Sequence, residues 1–593
     1  MKQKLLSLLV LLAISATNTW AQGTVNFKEG SGGANNWTVK SGTEAVTLGQ
    51  TIVSKDAKVK LTYNGPKRVQ SVSVAKIDVE ARMANLYYLF SGTLGRRYME
   101  QMELSSDEFT AVSFDGNWYD GGVYAHPSLH DYYANDATND WFNDILQNIC
   151  IVNQTIQILG GNDAGAIVAP ARALRAYFHW IIMDGWGDVP ILDRFIGYGG
   201  ALPRQPRADV AAWIESELID IIPDLTKEVS ADTYGKPTRW MAEALLAKLY
   251  INWPVYTATA VESYDAATAT NEKLADCISL CDDIINSGKF NLGSMSYRKK
   301  FSYDNGPQVE DFIYAMPYDT YKLQGMQYGR SHAWKNIRSM NPSYYGEKLT
   351  QSAGGYIAMT PEFVKKTFIL QGDERNKCVI GLSSNVDDYR YVENQDENTV
   401  YVYDKNTLEM TNEVALVSGS GSDPLALNVN ITLATPNDPT LDVGNTNAGS
   451  KQGCRSVKWF IINDDFKNGR NQSNDVPLFR FADVLLMKAE ALTRQNGNST
   501  EAKTLFNQIR NYANAPLLDH NPSLEEIYDE RGREFFDENW RRNDMIRFGH
   551  FEDEYFPHYT TFPTANFDKT RRIFPIPQYN LDMNSDWAQN SGY

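Results

Sequence analysis

A chain of 593 residues with 42% hydrophobic and 22% charged side chains is long enough for several domains or for one large domain with insertions, and its balance is globular rather than disordered. Its 56 Lys and Arg against 73 Asp and Glu give a formal net charge of -17, which argues against a nucleic-acid binder, because phosphate affinity rests on clustered basic residues. Such a surface favours neutral or cationic ligands, and 33 Tyr with 13 Trp supply flat, amphipathic contact area.

The N-terminus has the form of an export signal. Lys2 and Lys4 precede an apolar run from Leu5 to Ile14, and Thr19-Trp20-Ala21 places small residues at the two positions a signal peptidase reads, so cleavage is expected after Ala21. Gln22 stands where a bacterial lipoprotein needs cysteine, and the first cysteine is Cys150. No other apolar run reaches the about 20 residues that a spanning helix requires. Residues 22–75 alternate polar and apolar around Gly and Asn turns, with Asn64-Gly65 between two strand-like runs, and predict a small β-rich segment.

From Val79 the periodicity turns helical. Helices are expected over 137–160, 169–185, 207–227, 238–251, 272–287, 480–495, 500–513 and 523–539, several of them closed by turn residues such as Asn286-Ser287-Gly288 and Asn496-Gly497. The helix from Arg480 is followed within a few residues by TEAKTLFNQIRNYA, the pattern of a helical hairpin. WMAEALLAKLYIN repeats the style of VLLMKAEAL, with alanines at the seam, as in tetratricopeptide-type stacks, although the spacing is too irregular to establish a repeat. Between about residues 292 and 476 Gly, Ser, Asn, Asp and Tyr dominate, which predicts a loop-rich insertion with short strands, the place where ligand contacts concentrate.

Candidate chemistry was weighed residue by residue. Asp483 and Glu490 share one thin stripe on an otherwise apolar helix, a rise of about 10 Å apart. A glycosidase pair straddles a bond from opposite sides of a cleft, so these two acids predict buried ion pairs that hold helices in register, with Arg510, Arg531 and Arg541 as candidate partners. Cys277 and Cys281 lie one helical turn apart with no further ligand nearby and read as packed thiols. His179, between Phe178 and Trp180, reads as a hydrogen-bonded core histidine. Asn463 to Asp465 could offer oxygens to calcium, with a solvated loop as the default. No HExxH, GxSxG or Walker-type loop is present, and no catalytic residue, cofactor or metal site is assigned.

Several blocks resemble one family when taken in order: Leu174-Arg175-Ala176-Tyr177 with Gly187-Asp188-Val189-Pro190; FRFADVLLMKAEAL with Asn507-Gln508-Ile509-Arg510; and Glu530-Arg531, Glu534, Glu538, Arg541, Asp544 and Arg547. Pro575-Ile576-Pro577 and the ending Gln589-Asn590-Ser591-Gly592-Tyr593 complete the set, with Ser591 where the family has proline. From about Ile77 to Tyr593 the chain resembles the SusD/RagB family, outer-membrane nutrient-binding proteins of Bacteroidetes that partner SusC-like TonB-dependent transporters in polysaccharide utilization. The resemblance implies a mainly α fold, with four tetratricopeptide-like helical pairs as a platform under ligand-binding loops. It implies a non-enzymatic, outer-membrane-associated protein on the outer surface, holding an oligosaccharide, or a peptide as in RagB-like members, over the transporter. The expected layout is 1–21 signal peptide, 22–75 β-rich segment and 76–593 SusD-like domain.

Within that frame, aromatic side chains on loops are the candidate ligand contacts, because sugar rings present apolar C–H faces to aromatic planes while Asn, Asp and Arg take the hydroxyls. DGNWYDGGVY offers Trp118, Tyr119 and Tyr124; the insertion offers Tyr318, Tyr321, Tyr328 and Trp334, beside Tyr314. The competing reading for each is packing of a loop onto the helices. Two other classes stand as alternatives: a secreted glycoside hydrolase, which needs opposed carboxylates in the insertion, and a helical-repeat adaptor that binds only protein.

Overall fold

The structure is a computed structural model that describes the backbone of residues 23–28, 37–41, 44–46, 52–54, 59–63 and 73–78. It then describes the chain from Val79 to Tyr593 except 115–121, 197–201, 394–396, 445–446 and 554–560, with side chains from Val79 onward apart from that of Asn447. The expected signal peptide, 1–21, and the Asn64-Gly65 turn lie outside the described residues.

Six strands precede the helices: β1 (Gly23–Lys28), β2 (Trp37–Ser41), β3 (Glu44–Val46), β4 (Ile52–Ser54), β5 (Val59–Tyr63) and β6 (Ser73–Asp78). They pair as two three-stranded antiparallel sheets, β4-β1-β6 and β3-β2-β5. Strand β6 passes straight into α1 (Val79–Tyr87).

The chain is mainly α, with 44% helix against 9% strand. After α1 come α2 (Met99–Leu104), α3 (Trp141–Ile158), α4 (Ala169–Trp186), α5 (Arg207–Ile221), α6 (Arg239–Ile251) and α7 (Leu274–Asn286). A second group follows the insertion: α8 (Phe481–Asn496), α9 (Thr500–Tyr512), α10 (Leu524–Phe535) and α11 (Arg541–Phe548). Neighbours stack in sequence, α3 on α4, α4 on α5, α6 on α7 and α8 on α9, while α7 against α8 joins the two groups across the insertion. Local chemistry sets the ends. Thr238 caps α6 by accepting from Met241 N–H, Ser499 caps α9, and Gly497 at φ 66° ends α8 in the left-handed conformation that glycine adopts without strain. Cys277 and Cys281 are buried thiols. No described helix is long and apolar enough to cross a membrane.

Two expectations need correction. The helix expected over 523–539 stops at Phe535 and restarts at Arg541, because Asp537 and Asn539 take φ of 60° and 68°. Carboxylates from a distant segment hold that corner: Glu108 accepts the Asp537 N–H and Glu103 the Asn539 N–H. The helix expected over 207–227 ends at Ile221, followed by a short 3-10 turn through Pro223.

The insertion has its own core. Trp334, Tyr344, Tyr345, Tyr403 and Phe460 are buried together with aliphatic neighbours. Its two ends are pinned where β7 (Phe312–Met316) pairs antiparallel with the strand Val476–Arg480, which leads directly into α8.

The charges on α8 are paired, as their pattern implies. Asp483 bonds Lys248 on α6 at 2.7 Å and Arg531 on α10 at 2.8 Å; Glu490 bonds Arg547 on α11 and its own-helix Arg494, both at 2.8 Å. Asp544 bridges Arg531 and Arg547. The other two candidate cations serve other acids, Arg510 pairing with Glu530 and Arg541 with Asp107. A second buried network joins Arg375 and Arg480 to Glu530, Glu534, Glu538 and Asp311. Because breaking one buried partner costs about 3–5 kcal/mol, these networks specify which helix faces meet. His179 is likewise structural: its Nδ1 donates to Arg175 O at 2.7 Å and its Nε2 accepts Leu192 N–H, and burial lowers its pKa to about 4.

Candidate ligand-binding face

Trp118 and Tyr119 fall within 115–121, outside the described residues, and the segments on either side are described. Before it, strand Phe109–Ala111 pairs antiparallel with Ile357–Met359, Val112 N–H donates to Tyr356 O, and Ser113 exchanges backbone hydrogen bonds with Leu441 and Val443. After it, Gly122 at φ 95° packs its Cα against Thr440, where a Cβ would lie 2.9 Å from backbone. Leu433 and Asn437 in turn bond Thr561. Residues 112–114, 122–124, 431–444 and 561 therefore form one rim. Lys335 holds its Nζ 4.3 Å above the ring of Phe114 on the same shoulder.

Beneath the rim lies a cluster of arginines. The helical stretches Ser91–Thr93, Leu94–Tyr98 and Met99–Leu104 follow one another, and the middle one winds as a π turn, a form that recurs at functional sites. Gly95 in that turn has no room for a Cβ against the Gly325 carbonyl, and its own carbonyl accepts Gln327 N–H at 3.0 Å. This contact seats the segment carrying Arg330 within electrostatic reach of Arg96. Glu100, fully buried, accepts from Arg96 Nε at 2.9 Å, from Arg97 Nη1 at 3.1 Å and from the Tyr356 hydroxyl. The Tyr124 hydroxyl accepts from Arg96 at 2.9 Å and Arg97 at 3.2 Å, and the Tyr124 and Tyr356 rings lie 4.7 Å apart. Arg330 bonds Gln327 Oε1 at 3.1 Å and makes no ion pair among the described residues. Burial first, and then the like charges of Arg96 and Arg470, pull the Arg330 guanidinium below its ordinary pKa.

The sequence-derived candidates distribute unevenly. Tyr124 belongs to this cluster, though its ring is 6% exposed and its hydroxyl is what orients the arginines. Tyr321 is 67% exposed on the loop 319–325, whose Asp319 carboxylate accepts the Tyr321 and Lys322 N–H groups at 2.8 Å. That loop is rooted by Asp475, which accepts from Tyr318 N–H and the Tyr234 hydroxyl and which burial pushes up to about 7. Tyr318, Tyr328 and Trp334 are corrections. All three are buried: the Tyr318 hydroxyl donates to Ser91 O, Tyr328 meets Leu94 O and Asn539 Nδ2, and the Trp334 indole donates to Ser450 O. These rings fasten the insertion to the helices, because a large apolar ring with one polar tip is stable inside once that tip is bonded. Asn463 to Asp465 spend their oxygens on Thr350, Lys467 and Ser473, and no metal-ligand cluster occurs among the described residues.

Sequence reasoning missed Arg96, Arg97 and Arg330. The available signal was the doubled arginine after glycine in LGRRY, set inside an otherwise apolar helical stretch. Nothing local showed that residues 325–330 would fold over it.

Comparison with known proteins places this architecture. The SusD family profile matches residues 320–593. The starch-binding protein SusD of Bacteroides thetaiotaomicron is 24% identical over 439 residues, covering 72% of each chain. Among solved structures, a SusD superfamily protein from Parabacteroides distasonis superposes with TM-score 0.61 at 20% identity, over 87% of this chain and 99% of that one. Surface glycan-binding protein A from Bacteroides uniformis gives 0.60 at 18% identity, over 86% and 98%. Residues 320–593 thus match the SusD family, and the fold of the chain is similar to that of solved SusD superfamily proteins.

Proposed function

We propose that this protein binds an oligosaccharide at the face framed by Arg96, Arg97, Tyr124 and Arg330 and by the loop carrying Trp118 and Tyr119. It would hold that ligand on the outer surface of the outer membrane for a SusC-like TonB-dependent transporter. The observation that carries the reading is the arginine cluster, where Glu100 and the hydroxyl of Tyr124, which follows Trp118 and Tyr119 in sequence, fix two guanidinium donors. That combination suits sugars, whose ring faces stack while their oxygens accept hydrogen bonds. The names of two relatives, a starch-binding protein and a surface glycan-binding protein, support the same ligand class. Tyr321 adds a stacking surface further along, and the chain is read as a signal peptide, a β-rich segment 22–75 and the SusD-like domain 76–593.

Binding without catalysis fits the carboxylates. Glycosidic hydrolysis needs two facing acids across the bond; Glu100 beside the rim has both oxygens engaged by arginine and tyrosine, and Asp483 and Glu490 are sealed in ion pairs. Affinity electrophoresis against a panel of soluble polysaccharides tests the reading. Retardation by a glycan without release of reducing ends is expected, with Trp118→Ala weakening it by about tenfold, roughly the worth of one lost stacking contact. Release of reducing ends, or indifference to every glycan, would refute it. Co-purification with a barrel transporter tests the partner.

A further inference from the structure

We infer that the ligand held at this face carries a negative charge: a uronic-acid carboxylate or a sulfate ester on the sugar, taken by the guanidinium groups of Arg96, Arg97 and Arg330. This rests on the glycan-binding reading and narrows it to an acidic oligosaccharide.

Arg375, Arg480, Arg531 and Arg547 are buried, and each bonds two or more carboxylates at 3.2 Å or less. Others, such as Arg298 and Arg542, are buried against backbone carbonyls instead, and the half-exposed cluster beside the rim follows neither pattern. Arg96 and Arg97 share the one carboxylate of Glu100, and neither Arg330 nor Arg470 forms an ion pair among the described residues. One further acid, Asp140, interacts electrostatically with Arg97. Four guanidinium groups thus face two carboxylates in a protein whose formal net charge is -17.

Their donors are also left open. Arg96 spends Nε on Glu100 and Nη2 on Tyr124, and Arg97 spends Nη1 on both of those residues. Arg330 spends Nη1 on Gln327. The remaining nitrogens, Nη1 of Arg96, Nε and Nη2 of Arg97, and Nε and Nη2 of Arg330, form no bond among the described residues, and none is a buried unsatisfied atom. They open to solvent at side chains 26% and 29% exposed for Arg96 and Arg97. Glu100 and Tyr124 hold two of the guanidiniums in place beforehand, so an incoming anion meets oriented planar forks, the geometry that matches carboxylate and sulfate oxygens in pairs. The acidic overall composition had pointed to neutral or cationic ligands. Locally the charge is reversed.

The test uses the full mature chain, titrated calorimetrically with three probes: laminarihexaose as neutral, an oligogalacturonate as carboxylated and a κ-carrageenan hexasaccharide, which has sulfate esters and no carboxylate, as sulfated. One acidic probe should bind at least about tenfold more tightly than the neutral one, and its affinity should fall as NaCl rises, since salt screens charge pairs. Arg330→Gln should remove about tenfold of that acidic-ligand affinity with an unchanged melting temperature, because Arg330 supports nothing but Gln327; Arg330→Lys should recover part of it. Which acidic probe responds distinguishes carboxylate from sulfate. Binding of laminarihexaose as tight as either acidic probe, with Arg330→Gln indifferent, would overturn this inference and leave the glycan reading standing. Failure of all three probes, in a protein that also ignores the wider polysaccharide panel, would overturn both.

Discussion

Asp483 and Glu490 occupy one helix, seven residues apart, and each is held by two cations drawn from different elements. Burial alone would raise both carboxyl pKa values; Lys248 and Arg531 for Asp483, and Arg547 and Arg494 for Glu490, outweigh it and bring them below the ordinary range. Asp483→Asn should therefore cost about 3–5 kcal/mol by leaving Lys248 and Arg531 uncompensated in the interior. Urea titration should show a lower midpoint with the same slope. A midpoint unchanged within error would mean that the pairs do not hold the helices together. The stripe of charge on α8 was legible because three ionisable side chains on an apolar helix have to be buried with partners. Which arginine answers which acid was not legible, since Arg510, Arg531 and Arg541 are chemically alike and sit on three different helices whose packing assigns them to Glu530, Asp483 and Asp107.

At the scale of elements, helix existence followed from periodicity and helix ends followed wherever the stop signal was local. Ser523 and Glu526 form a reciprocal capping box on α10, and Ser523→Ala should cost about 1 kcal/mol, measured by thermal unfolding. The corner between α10 and α11 left no such trace. Asp537 and Asn539 adopt left-handed backbone because Glu103 and Glu108, more than 400 residues earlier, accept their N–H groups. The π turn at Leu94–Tyr98 has the same origin, being packed under Gly325 from the insertion. Gly95→Ala should therefore act in two ways. A methyl group facing the Gly325 carbonyl, which is backbone and cannot rotate aside, should cost about 1–3 kcal/mol. By lifting Arg330 away from Arg96 it should also weaken ligand binding in the fraction that still folds. Wild-type affinity in a destabilised Gly95→Ala protein would separate the turn from the site.

For the whole molecule, the buried ionisable groups fall into two sets with opposite pH dependence. Glu530 and Asp311 are held at about 2 because their arginine and lysine partners outweigh burial, and burial holds His179 at about 4. Folded pKa values below the unfolded ones mean stability that is present above the ordinary values of 4.5, 3.8 and 6.5 and is lost as pH falls through the folded values. Glu103 is the reverse case. Burial, then the charge of Asp537, raise it to about 8, so its contribution is complete below 4.5 and disappears as pH climbs through 8. Asp475, raised to about 7, adds to that limb at the root of the Tyr321 loop. Calorimetric melting temperatures should peak in mildly acidic to neutral buffer and decline on both sides. Glu103→Gln should flatten the alkaline decline and leave the acid limb as it was.

The sequence by itself determined what rests on neighbours along the chain: the helical periods, most of their caps, the buried character of α8, the thiol packing of Cys277 and Cys281, and the blocks that mark the family. Tertiary structure alone decided what rests on segments meeting from far apart. It sent Tyr318, Tyr328 and Trp334 inward as pins and left Tyr321 outside, although all four sit in similar loop sequence, because a ring's exposure depends on what folds across it. It also brought Arg96, Arg97 and Arg330 together over a single buried carboxylate, reversing locally the charge that composition assigns to the whole. Periodicity is a property of one segment, whereas an electrostatic surface belongs to the set of segments that share it.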